Sequence, residues 1–169
     1  ISEGFAKYKL VNQEIKKAMM LNISNLLFYL RDFSESLKWF NKTFNFIDVH
    51  SSDNVRGLDK VIALIIQYES GDSEQLGYSV RNTYRFLAKG KTQYKTEMII
   101  VRFFRSKIFK ANTSQEKQKC FSELKKELEK TTVNAFEKNV LKYFDFVSWA
   151  QSKISNRPFG EIVKEKMMN

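Results

Sequence analysis

The sequence predicts an all-α domain, and three observations carry that expectation. First, 169 residues contain only 6 glycines and 1 proline, so few places force a helix to break. Second, apolar residues recur at three- and four-residue spacing almost throughout. Third, one segment overlies another: RDFSESLKWFNKTFN, starting at Arg31, lies over GDSEQLGYSVRNTYR, starting at Gly71. In that overlay Asp32 meets Asp72, Phe40 meets Val80, Thr43 meets Thr83 and Phe44 meets Tyr84. Helix pairs related in this way bury their faces by stacking on neighbours, so the expected architecture is antiparallel pairs, about eight or nine helices in all, forming one helical-repeat domain over residues 1–169.

Taken in order, a first helix is expected over much of Gly4 to Lys17 and a second over Met19 to Leu30. Arg31-Asp32 makes the turn, and Phe33 to Asn45 is a third helix with Leu37, Phe40 and Phe44 on one face. DVHSSDN reads as a loop in which Ser51, Ser52 or Asp53 accepts hydrogen bonds from the free N–H groups of the next helix. That helix, Val55 to Glu69, carries the stripe Leu58, Val61, Ile62, Ile65 and Ile66, and Gly71 supplies the left-handed residue that closes it. A helix from Ser73 to Ala88, a turn centred on Gly90, and a strongly apolar helix from Gln93 to Lys110 follow. Thr113 or Ser114 caps Gln115 to Lys130, with the stripe Cys120, Phe121, Leu124 and Leu128. Asn134 opens a long helix to Ile154, and a short last helix has Pro158 near its first turn, where a missing N–H costs nothing. A third copy of the repeat can be laid over NTSQEKQKCFSELKKEL with a slip of about four residues.

Arg31-Asp32-Phe33, Ser36, Leu37, Phe40 and Thr43 resemble the second-helix half of a tetratricopeptide repeat, in which small residues let paired helices cross closely and a large aromatic plugs the next repeat. Gly71-Asp72, Val80 and Thr83 repeat the pattern, whereas Leu76-Gly77 departs from its small-residue position. The tryptophan and leucine-glycine of the family's first helix and its closing proline are absent, and the shift of forty exceeds the family's 34. The resemblance implies a right-handed tetratricopeptide-like solenoid with longer helices, acting as a non-catalytic scaffold that holds a protein or peptide partner. The sequence is also similar in style to C-terminal helical-repeat regions of uncharacterised bacterial proteins from AT-rich genomes, which implies a bacterial, cytoplasmic setting. It opens at Ile1 and is read as an excised piece of a longer protein.

Charge and residue counts narrow the chemistry. The formal net charge is +10, and the segment from Lys89 to Lys130 holds 12 basic against 5 acidic residues, so nucleic-acid binding through residues 89–130 is the rival reading. That rival requires those cations to share one face. No apolar run approaches the ~20 residues that span a bilayer, so no membrane partner is expected. The single Cys120 fits a reducing compartment and a place in the core, and with a single His50 it cannot build a metal set or a Cys/His nucleophile pair. Gly90-Lys91-Thr92 mimics the end of a phosphate-binding loop, but Arg85 stands where that motif needs glycine. The carboxylates lie singly among lysines. No catalytic residue, cofactor, metal or small-molecule substrate is therefore expected.

Two segments interleave cations with aromatics: RNTYRF and VRFFRSK. Arg81, Arg85, Arg102 and Arg105 offer forked donors to carboxylate or phosphate while Tyr84 stacks, which makes them the expected partner-binding residues. The plainer alternative puts Phe86, Phe103 and Phe104 in the core, with the arginines lying along the surface or pairing with Glu97. A third reading is a purely structural capping or dimerisation domain. Its apolar end near Phe5, Tyr8 and Leu10 would meet a preceding repeat, and removal of Ile1 to Lys17 would leave the other helices folded.

Overall fold

The computed structural model describes residues 12–44, 53–90, 95–131, 133, 137 and 143–168. Among them are eight α-helices and no strand. They are α1 (Gln13–Tyr29), α2 (Phe33–Thr43), α3 (Asp53–Ser70), α4 (Ser73–Lys89), α5 (Lys95–Ser106), α6 (Ser114–Thr131), α7 (Phe146–Ser155) and α8 (Phe159–Met168). Each packs on the next in sequence, and α3 also packs on α5.

Caps set most boundaries. Asp32 and Asp72 accept hydrogen bonds from the N–H groups of Glu35 and Gln75 at 3.2 and 3.0 Å, so both second helices start at an aspartate. Thr113 and Glu116 form a reciprocal capping box at the start of α6. Thr113 Oγ1 accepts from Glu116 N–H at 3.1 Å, and Glu116 accepts from the N–H groups of Asn112 and Thr113 at 2.8 and 3.0 Å. Those two backbone donors hold the Glu116 carboxyl below its usual range. α5 starts differently: the buried Glu137 accepts from the N–H groups of Lys95 and Thr96 and from the Thr96 hydroxyl.

The structure corrects several expected boundaries. The helices expected on either side of Ala18 are continuous in α1, because Ala18 favours helix and the break comes earlier, at Asn12, whose side chain accepts from Glu14 N–H at 2.9 Å. Cutting the chain after Lys17 would therefore cut into α1, and Lys17 binds Asp59 of α3 at 3.1 Å. Residues Phe5, Tyr8, Leu10, His50, Ser51 and Ser52 lie outside the described residues, and Asp53 is already helical. The expected helix to Lys110 ends at Ser106. A tighter turn, Ile108–Lys110, follows, burying Ile108 and Ala111 while the Lys107 ammonium reaches Glu123 and Glu127 on α6. The long helix expected from Asn134 is not continuous to Ile154. Tyr143 to Asp145 are not helical, Phe144 is buried in the core, and Asp145 starts α7 by accepting from the Ser148 N–H and hydroxyl at 3.0 and 2.8 Å. Ser114 is helical, so Thr113 is the cap.

The core runs along the helix pairs and closes at its ends. Leu58, Val61, Ile62, Ile65 and Ile66 are buried as expected, as are Phe121, Leu124 and Leu128, while Cys120 is half-buried against them. In the middle, Trp149 of α7 is wholly buried among the rings of Tyr68, Phe104 and Phe121. Burial pushes the Tyr68 hydroxyl up to about 12, helped by the nearby Glu69 carboxylate. At the other end, Phe28 of α1 meets Phe144 and Phe159 edge to face at 5.4 and 5.5 Å, and Tyr29 stacks on Phe159 at 5.0 Å. The last helix pair is thus packed against the first.

Candidate interaction face

Arg81, Tyr84 and Arg85 fall on one side of α4 at spacings of three and four, and Arg102 with Arg105 do the same on α5. α4 and α5 pack together, which brings the two sets side by side. The guanidinium of Arg105 lies over the Tyr84 ring, 4.0 Å from its centre. Arg81 lies back along α4, its Nη1 4.0 Å from where a side chain on Gly77 would begin. All four arginines are exposed, and Tyr84 is half-buried against the core. None of the four makes an ion pair among the described residues.

The plainer alternative describes the aromatics of this region. Phe103 and Phe104 are core residues, and Phe86 packs against the core with Lys60 Nζ 5.2 Å from its ring. The arginines nevertheless do not pair with Glu97, which is wholly buried with its carboxylate lying against Gly57. A side chain on Gly57 would begin 2.9 Å from Glu97 Oε1, which is why α3 carries glycine in its interior. A planar cation stacked over an aromatic ring, with exposed arginines within a turn along both helices, offers forked donors to carboxylate or phosphate groups.

The rest of the basic middle region is not uniformly free. Lys107 bridges to Glu123 at 2.9 Å and Glu127 at 3.3 Å, which holds both the Lys107 ammonium above and the Glu123 carboxyl below their usual ranges through hydrogen bonding. Lys125 bonds to Gln151 at 2.8 Å and reaches Glu129 at 3.5 Å. Lys107, just past α5, and Lys125 of α6 are therefore engaged with carboxylates away from the arginine face.

A cleft of about 90 Å³ that the sequence reading did not single out lies where the α1–α2 turn meets the α7–α8 turn. Arg31, Lys153 and Arg157 line it together with Glu69, Trp149, Phe28 and Phe33. Its one sequence signal is that Arg31 stands where the overlaid segment has Gly71. Among the described residues, no group of three or more His, Cys, Asp or Glu could hold a metal ion, and no helix is long and apolar enough to cross a membrane. Lys91 and Thr92 of the loop-like motif lie outside the described residues. No protein-family model matches the chain, and no curated protein or solved structure matches it either.

Proposed function

We propose that the chain is a non-catalytic scaffold of tetratricopeptide-like helix pairs, stacked in the right-handed sense of that family, that holds an acidic peptide segment or partner domain on its α4–α5 face. The observation that carries this reading is the Arg105–Tyr84 stack flanked by three exposed guanidiniums without ion-pair partners among the described residues. Exposed arginine beside an aromatic ring is a composition enriched where proteins meet partners. The repeat reading is supported by positions forty apart that do the same job: Asp32 and Asp72 cap, Arg31 and Gly71 close helices, and Phe40 and Val80, like Thr43 and Thr83, are buried. Trp149 fills the space among α3, α5 and α6 and is closed to a partner, which leaves exposed surfaces such as α4–α5 for recognition.

The pairing of Lys107 and Lys125 with carboxylates favours a protein partner over nucleic acid, because a phosphate backbone needs a continuous row of free cations. The test is a titration of an acidic, aromatic-containing peptide, single-stranded RNA and duplex DNA into the protein at two salt concentrations, with the Arg102→Ala/Arg105→Ala double variant alongside. Peptide binding that the double variant weakens by about tenfold or more supports the scaffold. Binding of RNA or DNA alone, falling steeply with salt, replaces it with the nucleic-acid reading.

A further inference from the structure

We infer that the cleft between the α1–α2 turn and the α7–α8 turn binds a phosphate group. The cleft uses none of the residues of the α4–α5 face, and its case begins with the backbone. Three helices end in a residue of left-handed conformation: α1 at Arg31 (φ 64°), α3 at Gly71 (φ 83°) and α7 at Asn156 (φ 51°). In each, the following backbone N–H groups return to the last turn. Arg31 N–H bonds Phe28 O and Asp32 N–H bonds Leu27 O, Gly71 N–H bonds Tyr68 O, and Arg157 N–H bonds Ser152 O. Glycine adopts this conformation without penalty and asparagine with little; arginine gains nothing local from it. A residue held in a disfavoured conformation is a reason to look for use, and the use is visible here because Arg31 lines the cleft.

The two closing turns deliver cations to one place. Arg31 comes from the first turn, and Lys153 and Arg157 flank Asn156 in the other. The one acidic side chain in the lining, Glu69, is already engaged: it accepts from Trp149 Nε1–H at 2.7 Å and pairs with Lys153. Three cations and one carboxylate line the cleft, so its lining is net positive and rich in N–H donors, which suits the several acceptor oxygens of a phosphate group. Arg157 is also hydrogen-bonded to Glu161 at 3.3 Å and to Glu165, both outside the lining, so it shares its donors between those acids and the cleft. Arg31 makes no ion pair among the described residues and is the open donor. The cleft of about 90 Å³ has room for a phosphate group, and Phe33 in its lining offers a surface to whatever the phosphate is attached to.

The Trp149 indole N–H reports on the cleft through Glu69, while Trp39, under Lys42 on α2, serves as an internal reference. The experiment titrates inorganic phosphate and, separately, phenyl phosphate into the protein and follows both indole resonances by NMR. A saturable shift of Trp149 with Trp39 unmoved is expected. Arg31→Asn, which suits the left-handed backbone, should weaken binding about tenfold or more without lowering Tm. Arg31→Lys should retain most of the binding. Saturation by inorganic phosphate as strong as by phenyl phosphate identifies a free-ion site; a marked preference for phenyl phosphate identifies a phosphomonoester. Absence of a saturable Trp149 shift with either up to about 10 mM, or binding by Arg31→Asn equal to wild type, overturns the inference.

Discussion

The first helix pair, α1–α2, and the second, α3–α4, solve the same packing problem with opposite chemistry. In the first, Ser24 and Ser36 are both wholly buried, and each hydroxyl donates to the other residue's carbonyl oxygen at 2.9 Å. Forty residues on, the corresponding positions are Leu64 and Leu76, both buried in the core. The first contact is closed by hydrogen bonds between small residues, which allow a close crossing, and the second by volume. The turns contrast in the same way, with Arg31 in one and Gly71 in the other. Two helix pairs thus close their crossings with different residues, each contact being satisfied in its own terms.

The largest way to break that comparison is to transplant the second solution into the first. Ser36→Leu has no space at a 0 % exposed crossing, removes the hydroxyl that donates to Ser24 O and, by forcing the helices apart, strains the bond from the Ser24 hydroxyl to the carbonyl of residue 36, so a loss of about 4 kcal/mol is expected in urea denaturation. A loss below about 1 kcal/mol would mean that the two crossings are interchangeable.

One buried and one half-buried aspartate sharpen the contrast between the helix pairs and their closing end. Burial raises the Asp59 carboxyl above its usual range in spite of Lys17. At Asp145, burial pushes the same way, but the Lys166 ammonium and the Ser148 N–H and hydroxyl outweigh it and hold that carboxyl below its usual range. Asp59 therefore contributes most to stability below the ordinary aspartate value, and the contribution fades as pH rises through its raised one. Asp145 contributes above the ordinary value and loses that contribution as pH falls through its lowered one. Asp145→Ala should cost about 2 kcal/mol at neutral pH, through the lost cap and the Lys166 bond, with a deficit that shrinks in acid. Asp59→Asn should improve relative to wild type as pH rises. Denaturation midpoints across the acid range check both signs, and parallel trends in the two variants would show that the shifts are misassigned.

The smallest effect concerns the turns. Arg31→Gly should stabilise by about 1 kcal/mol by relieving the left-handed backbone, and Gly71→Ala should cost about as much. Nothing lies within 4 Å of a side chain added at Gly71, so its cost would be conformational alone. Equal melting temperatures for Arg31→Gly and wild type would show that Arg31 makes a compensating contact.

Much of the helical layout was legible because its causes are local. Asp32, Asp72 and Thr113 cap within their own first turns, and Gly71 and the stripe from Leu58 to Ile66 need only helical spacing to be recognised. The misplaced boundaries have distant causes: Phe144, outside any described helix, packs on Phe28 and Phe159, and the start of α5 is capped by Glu137, 42 residues from Lys95. For the candidate face, the sequence supplied all four arginines and Tyr84, because spacings of three and four define one side of a helix. Only packing of α4 on α5 joined them and set Arg105 on the Tyr84 ring. The cleft was beyond sequence reasoning, since its cations come from turns more than a hundred residues apart. By itself, then, the sequence determined the helices, their polar and apolar sides and the turns that end them, through interactions reaching no further than one turn. Tertiary structure alone decided which ends meet, because contacts such as Phe28 with Phe159 and Trp149 with Glu69 depend on how every intervening helix stacks.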